Sequence, residues 1–402
     1  MSERETPRNG AIHIAALTLQ KLADALIDPK LVLPSLLLAL GAPAWIIGAL
    51  VPVREAGSLL PQLAMAPRIA AQKLRKRVWA AGAATQGAAA IGMALAGWAL
   101  SGVAAGLAIL AALSVLALAR AAGSLAHKDA LARTVPKGRR GHVSGLAASI
   151  GAGAGFLAAA ALAAGVVSLT PGSLSAMLAV AGLALIAGAV LFLRLDETPQ
   201  ANPAPDKLAA LWHPLRDNAE LRLFIATRAA LAATAFAPPF IVMLAAAEGR
   251  GALDQLGPLY LASTLAAVLA SWFWGRLSDR SSRVALAASG GLAGAALIAT
   301  GTTGLAGQIP GGVWGAAIAV FVSQCGYQGV RMARKLHLTD MTNDENRAAW
   351  TALANTALGA VLLAGGAFGI IASVTGPAAV LVMLGLLSAV GAAMALRLAH
   401  VQ

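Results

Sequence analysis

The sequence has few charged residues, few aromatic residues and one cysteine. Of its 402 residues, 12% are charged and 4% are aromatic, and Cys325 is the single cysteine. One cysteine excludes an intramolecular disulfide, so it leaves the redox environment undetermined. With 58% hydrophobic residues and a mean hydropathy of +0.75, the chain does not have the composition of a soluble globular domain.

The motifs of nucleotide-driven and metal-dependent enzymes are also missing. The sequence contains no Walker loop, no dinucleotide fingerprint and no H-E-x-x-H pair, and its six histidines are scattered. These absences argue against ATP as the energy source, and we predict neither a cofactor nor a metal. The first ten residues are mixed in charge and are followed by no small-residue cleavage site, so we predict a retained cytoplasmic tail.

Long apolar segments dominate the rest of the chain. A helix needs about 20 apolar residues to cross the roughly 30 Å of hydrocarbon in a bilayer. Glycine, with 43 residues, lies largely inside these segments, where small side chains allow membrane helices to pack closely. We therefore predict an all-α membrane protein with twelve transmembrane helices at about 11–36, 43–66, 78–98, 103–126, 143–167, 174–194, 219–246, 255–274, 284–304, 311–333, 349–372 and 376–398.

The basic residues between these helices indicate the orientation. They follow every second predicted helix, whereas the alternate connections hold Arg250 alone. By the positive-inside rule, both termini are predicted to be cytoplasmic, in an inner-membrane protein. This distribution explains the net charge of +13 better than nucleic-acid binding does. The basic connections contain Arg68, Lys73, Arg75, Lys76 and Arg77; Lys128, Arg133, Lys137, Arg139 and Arg140; Lys207 and Arg216; Arg276, Arg280 and Arg283; and Arg334, Lys335 and Arg347.

The chain also divides into two related halves. A proline-rich connection at 195–218 separates a predicted six-helix bundle at 1–194 from a second at 219–402. Within it, apolar residues from Leu208 to Leu215 share one helical face, which predicts a short helix on the membrane surface. A shift of 207 residues superimposes five basic positions, as expected of parallel duplicated halves: Lys21 on Arg228, Lys73 on Arg280, Lys76 on Arg283, Lys128 on Lys335, and Arg140 on Arg347.

The segment after predicted helix 8 carries a recognisable motif. Gly275, Asp279, Arg280 and Arg283 form the pattern G-x-x-x-D-R-x-x-R, which resembles the cytoplasmic loop motif of the major facilitator superfamily. The resemblance implies two six-helix bundles and a transport activity, with this loop acting as a conformational latch. The alternative is a basic turn held at lipid headgroups. The equivalent first-half loop departs from the motif, since Arg68 and Gln72 replace its glycine and aspartate.

A second resemblance concerns Arg120. Leu116, Arg120 and Gly123 look like part of the superfamily's helix-4 arginine motif, without its glutamine. The resemblance implies that Arg120 faces a central cavity and helps to couple protonation to solute movement. The alternative is an arginine that extends to the inner membrane surface.

The charged residues of the first two predicted helices are the leading candidates for a site. A charged group at the bilayer centre costs at least about 2.5–3.5 kcal/mol, so such groups face protein or water. Lys21, Asp24 and Asp28 are spaced i, i+3, i+7, which predicts one helical stripe, and Arg54 and Glu55 follow in helix 2. We predict proton-coupling sites at Asp24, Asp28 and Glu55; the alternative is a structural salt bridge between the two helices. Further cavity or solute contacts are predicted at Lys21, Arg54, Arg120, Arg228, Gln324, Gln328, Arg331 and Asn355.

These features favour a monomeric secondary transporter that moves a small solute through the lipid bilayer with protons. The arginines favour an anionic or zwitterionic solute, unless the acidic residues neutralise them. Two alternatives stay open at this point. A membrane-embedded enzyme acting on lipids would need a nucleophile or acid–base group beside a lipid-facing opening, and a transporter-shaped sensor would bind a solute without moving it.

Overall fold

A computed structural model describes residues 5–200, 218–247, 253–307, 312–342 and 347–400. This part of the chain is helical and contains no strand. The surface helix predicted from Leu208 to Leu215 lies outside the described residues. The sixteen described helices are α1 Glu5–Ile27, α2 Val32–Ala39, α3 Ala44–Leu59, α4 Gln62–Ala70, α5 Arg75–Ala99, α6 Gly102–Thr134, α7 Lys137–Ala163, α8 Pro171–Leu193, α9 Ala219–Leu231, α10 Ala233–Ala247, α11 Leu256–Arg280, α12 Ser282–Leu305, α13 Gly312–Asp340, α14 Arg347–Ala364, α15 Ala367–Thr375 and α16 Pro377–Ala395.

Each of the twelve predicted segments falls on helix, but four of them are divided. The first segment breaks after Ile27, because Pro29 lacks an N–H and disfavours a helical conformation at Asp28. The eleventh breaks at Gly365 and Gly366, where the missing side chains weaken the helix. The other two breaks separate α3 from α4 and α9 from α10.

Nine of the described helical segments are long and apolar enough to cross a membrane. The three predicted spans that fall short are the first, the second and the tenth. These spans contain Asp24, Arg54 and Gln324, respectively, and so carry much of the predicted site. The lower hydropathy therefore coincides with the polar residues, and the count of twelve spans remains a prediction.

One end of the molecule, called here the basic end, holds Lys76, Lys128, Arg283 and Lys335. At this end, related residues of the two halves make related contacts. The Lys76 ammonium donates to the Leu195 carbonyl at 2.6 Å, just beyond α8. Arg283, at the position related by the repeat, donates to the Leu398 carbonyl at 3.3 Å, just beyond α16.

The first-half loop is fixed by an ionic network despite its departure from the motif. Arg75, which is almost fully buried, pairs with Asp129 at 2.5 Å, and Arg133 pairs with the same carboxylate at 2.9 Å. Glu197 accepts the backbone N–H groups of Arg75 and Lys76 at 2.9 and 2.8 Å. These contacts connect the start of α5 and the end of α6 to the residues that follow α8.

The two halves of the chain meet most closely at the end opposite the basic end. There α3 packs against α14 and α15, and α7 packs against α11. A Cβ added to Gly48 would overlap the backbone of Gly369, and one added to Gly257 would lie 2.7 Å from the Cα of Ala163. Only glycine permits these approaches, so in this conformation the halves are closed at the opposite end.

The loop motif has a different local structure from the one its glycine suggests. A glycine can allow a tight exit from a helix, but α11 continues through Gly275 to Arg280. The turn instead lies at Ser281, whose hydroxyl accepts the Val284 N–H at 3.4 Å and begins α12. Asp279 and Arg280 are exposed, and the latch role of the motif remains a prediction.

Candidate functional site

The predicted residues Asp24, Arg54 and Arg120 meet inside the N-terminal half. The Asp24 carboxylate on α1 receives Arg120 from α6 at 2.5 Å and Arg54 from α3 at 3.4 Å. Arg120 also donates to the side-chain oxygen of Gln86 on α5 at 3.3 Å. Four helices are therefore joined by one chain of polar contacts, and Arg120 does not extend to a membrane surface.

Partial burial makes these contacts strong. The side chains of Arg54, Arg120 and Asp24 are 15%, 16% and 27% exposed. Charged hydrogen bonds gain strength where water is partly excluded, whereas an unpaired charge in the same place is costly. Small residues bring α1 close to α7, since Gly155 would place a Cβ only 3.0 Å from the side chain of Ala25. The packing thus holds Asp24 in a fixed position.

A cavity of about 250 Å³ lies beside this network. Three of its lining residues are basic: Lys21, Arg120 and Lys128. Among the described residues no carboxylate lines it, and Asp24 contacts the lining residue Arg120. Leu17, Gln20, Trp79, Ser124, His127, Ser144, Ala147 and Ala148 complete the wall. The cavity is thus a polar space of positive character between α1, α5, α6 and α7.

The C-terminal half contributes Arg228 and Asn355. Arg228 is 6% exposed and donates from Nη2 to the side-chain oxygen of Asn355 at 3.2 Å. Its guanidinium carbon lies 5.5 Å from the centre of the Phe224 ring. Its Nε and Nη1 atoms have no hydrogen-bond partner in the part of the chain that the structure describes.

Three features connect the two halves near the site. The Tyr260 hydroxyl on α11 donates to the Ala25 carbonyl on α1 at 2.5 Å. The Lys30 ammonium lies 3.4 Å from the centre of the Tyr327 ring on α13. Glu55 and Arg334 line a smaller cavity of about 20 Å³ between the halves, which has room for about one water molecule. The interface thus carries polar groups from both sides.

The prediction that Asp28 shares a helical stripe with Lys21 and Asp24 is wrong, whereas its role in proton coupling remains a prediction. Because α1 ends at Ile27, Asp28 lies beyond the helix that carries Lys21 and Asp24. Its carboxylate accepts the backbone N–H groups of Lys30 and Leu31, both at 2.8 Å. Asp28 therefore fixes the turn that leads into α2, a role that the following proline could have indicated.

The remaining predicted residues lie on α13. Gln324 is buried, Gln328 is half-buried and Arg331 is exposed. Arg331 is close enough to Lys21 for their charges to interact. Residues 324–331 thus extend from the core towards the basic end, on the C-terminal side of the interface.

Sequence reasoning missed Gln86 and Tyr260. Gln86 is a buried amide in a largely apolar predicted helix. A polar side chain in such a helix could have indicated a contact with another helix. Tyr260 is one of two tyrosines in the chain, but its partner is a backbone carbonyl 235 residues away. No spacing rule could have identified that contact. Within the described residues, no group of three His, Cys, Asp or Glu side chains could hold a metal ion.

We expect Tyr260→Phe to weaken closure at the end opposite the basic end. The substitution removes the hydrogen bond to Ala25 and keeps the ring, so the loss is about 1 kcal/mol. Double electron–electron resonance between spin labels on α3 and α15 should show a larger fraction of long distances than in the wild type. An unchanged distance distribution would show that this contact does not stabilise the closed state.

No protein-family model and no curated protein matches the sequence. Solved structures match its fold over nearly the whole chain. The nucleoside transporter NupG is 16% identical, with a TM-score of 0.70 over 96% of this chain and 99% of that one. A D-xylose-proton symporter is 11% identical, with a TM-score of 0.72 over 98% of each chain. The inward open xylose transporter XylE from E. coli is 12% identical, with a TM-score of 0.66 over 97% and 95%.

This chain has the major facilitator fold. A POT family transporter in complex with 5-aminolevulinic acid gives the same result, at 12% identity and a TM-score of 0.71 over 97% and 96% of the two chains. The solutes of these transporters differ widely. The fold therefore does not name a solute for this chain, and its own side chains must provide that information.

Proposed function

We propose that the protein is a monomeric secondary active transporter that moves a small solute across the inner membrane by alternating access, coupled to protons. The network of Asp24, Arg54 and Arg120 beside a cavity, in the major facilitator fold, carries this proposal. Two six-helix bundles, 1–194 and 219–402, rock about the site, and the connection at 195–218 joins them on the cytoplasmic side with both termini. These charged groups contact one another inside the protein, which favours a transporter over an enzyme with a lipid-facing site.

Asp24 is the proposed proton carrier. In the present conformation its charge is balanced by Arg54 and Arg120, and the halves are closed at the opposite end. Protonation of Asp24 would remove the negative charge and release the two guanidinium groups. The released groups would then change the packing of α1 against α3 and α6. The proton and the solute thus act on the same helices, which is the requirement for coupling.

Glu55 is proposed to act at the interface between the two halves, beside the small cavity. It lines the small cavity opposite Arg334, which belongs to the other half. Movement of the bundles would change the separation of these two charges. A contact that exists in one conformation and breaks in another can bias the equilibrium between them.

The test uses purified protein in liposomes loaded with a pH-sensitive dye. Sugars, nucleosides, short peptides and organic acids are added outside, with and without an imposed pH gradient. We expect one solute class to accumulate inside, faster with the gradient, and to move protons in its absence. Uptake that is indifferent to the gradient would overturn proton coupling, and the absence of any solute movement would overturn transport.

A further inference from the structure

The charge balance differs between the two halves. In the N-terminal half, Asp24 neutralises part of the charge of Arg54 and Arg120. Arg228 is buried, with 6% of its surface exposed, and yet it has no ion pair with any described residue. Asn355, which accepts a hydrogen bond from Arg228, is neutral. A buried guanidinium without an anion is destabilising, so its presence needs a functional reason.

Arg228 lies one helical turn from a residue that lines the cavity between the halves. Leu231 and Leu358 line the small inter-half cavity, and they lie one helical turn from Arg228 and Asn355, respectively. Arg334, which lines the same cavity, is close enough for its charge to act on Arg228. Arg334 thus adds positive charge near Arg228 instead of removing it.

The internal repeat relates Arg228 to a basic residue at the equivalent position of the N-terminal half. Lys21 occupies the equivalent position on α1 and lines the larger cavity. The structure shows no hydrogen bond or ion pair within contact distance for the Lys21 ammonium among the described residues, although Asp24 acts on it electrostatically. Across the interface it faces the charges of Arg331 and Lys335, which also interact with Lys128. The described acids near this side of the interface are already engaged. Asp24 pairs with Arg54 and Arg120, and Asp28 accepts two backbone N–H groups. Glu55 lines the small cavity together with Arg334.

We propose that the transported solute carries a carboxylate or a phosphate, and that Arg228 binds this anionic group with Lys21 as the second cation. This proposal rests on the proposed function and adds the substrate class. A planar guanidinium with unused Nε and Nη1 donors suits an oxyanion, because it can form charge-assisted hydrogen bonds to two oxygens. The solute thereby supplies the negative charge that Arg228 does not receive from the described residues.

The test compares matched solutes by thermal denaturation of the purified protein at constant ionic strength. The pairs are glucose and glucose 6-phosphate, glycerol and glycerol 3-phosphate, and succinamide and succinate. We expect a phosphate or a carboxylate member to raise Tm by several degrees, while its neutral counterpart does not, because a ligand that binds the folded state stabilises it. The phosphate and carboxylate arms distinguish the two anion types. Equal shifts for neutral members, or no shift with any anion, would overturn the proposal.

Two variants then locate the anion. Arg228→Gln should remove the anion-dependent shift, and Lys21→Gln should weaken anion affinity about tenfold or more. Arg276→Gln, which removes the same charge from an exposed residue over the Trp272 ring, is the control and should keep the shift. A full shift in Arg228→Gln, or an equal loss in Arg276→Gln, would contradict the assignment.

Arg228→Met gives an independent readout without any solute. It replaces the buried guanidinium by an apolar side chain of similar length, so the solute-free variant should have a higher Tm than the wild type while binding no anion. A lower Tm with anion binding retained would show that Arg228 is structural. The liposome assay distinguishes failure of this inference from failure of the proposed function. Movement of a neutral solute would contradict the anionic substrate class but not transport. Anion binding without any movement would contradict transport but not anion binding at Arg228.

Discussion

Asp24→Asn is expected to abolish proton-coupled uptake while leaving solute binding measurable. The amide keeps the shape of the carboxylate but carries no charge and cannot take up a proton. Arg54 and Arg120 would both lose their charged acceptor in a partly buried place. The loss of such a partner costs about 3–5 kcal/mol in buried pairs, so lower thermal stability should accompany the transport defect.

The measurement is the initial rate of uptake into liposomes with and without an imposed pH gradient, using the solute that the wild type moves fastest. In the variant the two rates should coincide. Asp196→Asn is the matched control, because it makes the same chemical change in an exposed ion pair with Arg8. Exposed pairs contribute about 0–1 kcal/mol, so that variant should behave as the wild type. Gradient-stimulated uptake by Asp24→Asn would remove Asp24 from the coupling mechanism.

Gly48→Val is expected to reverse the conformational preference of the protein. A side chain at Gly48 would overlap the backbone of Gly369, which cannot move without separating α3 from α15. Overpacking of this kind costs about 1–3 kcal/mol, and about 3 kcal/mol shifts an equilibrium roughly 100-fold. The halves should then open at this end, and transport should fall because the closed state is required in each cycle.

The control is Gly92→Val on α5. A Cβ at Gly92 meets no atom within 4 Å, so the same substitution adds the same bulk without a clash. Spin labels on α3 and α15 should report longer distances in Gly48→Val than in Gly92→Val or the wild type. If Gly48→Val kept the short distances and full transport, this close approach would not be a closing contact.

The sequence predicted the helices well because membrane helices have a strong local signal. Hydropathy, glycine content and basic connections act over short distances and were sufficient to place the twelve segments, which all fall on helix in the structure. The breaks were harder to predict. The break after α1 results from Pro29 and from the hydrogen bonds of the Asp28 side chain. The proline is a local signal, but the prediction of one uninterrupted helix did not take it into account.

The site was only partly predictable. Because charged residues are scarce, the sequence identified Asp24, Arg54 and Arg120 individually. It did not show that the Asp24 carboxylate pairs with both arginines. Pairing depends on how helices distant in the chain face each other, which spacing within one helix does not encode. For the same reason the sequence could not show that Arg228 lacks an acid, or that Gly48 is the glycine that meets Gly369.

Thiol accessibility tests alternating access most directly. In a Cys325→Ser background, single cysteines are placed at Ser144, in the wall of the larger cavity, and at Ala372, which is buried one turn from Gly369 on α15. With a membrane-impermeant reagent, the wild-type conformation should label position 144 quickly and position 372 slowly. Adding Gly48→Val should reverse the two rates. If both positions responded in the same direction, or neither responded, the claim that two bundles open a shared passage alternately at its two ends would be contradicted.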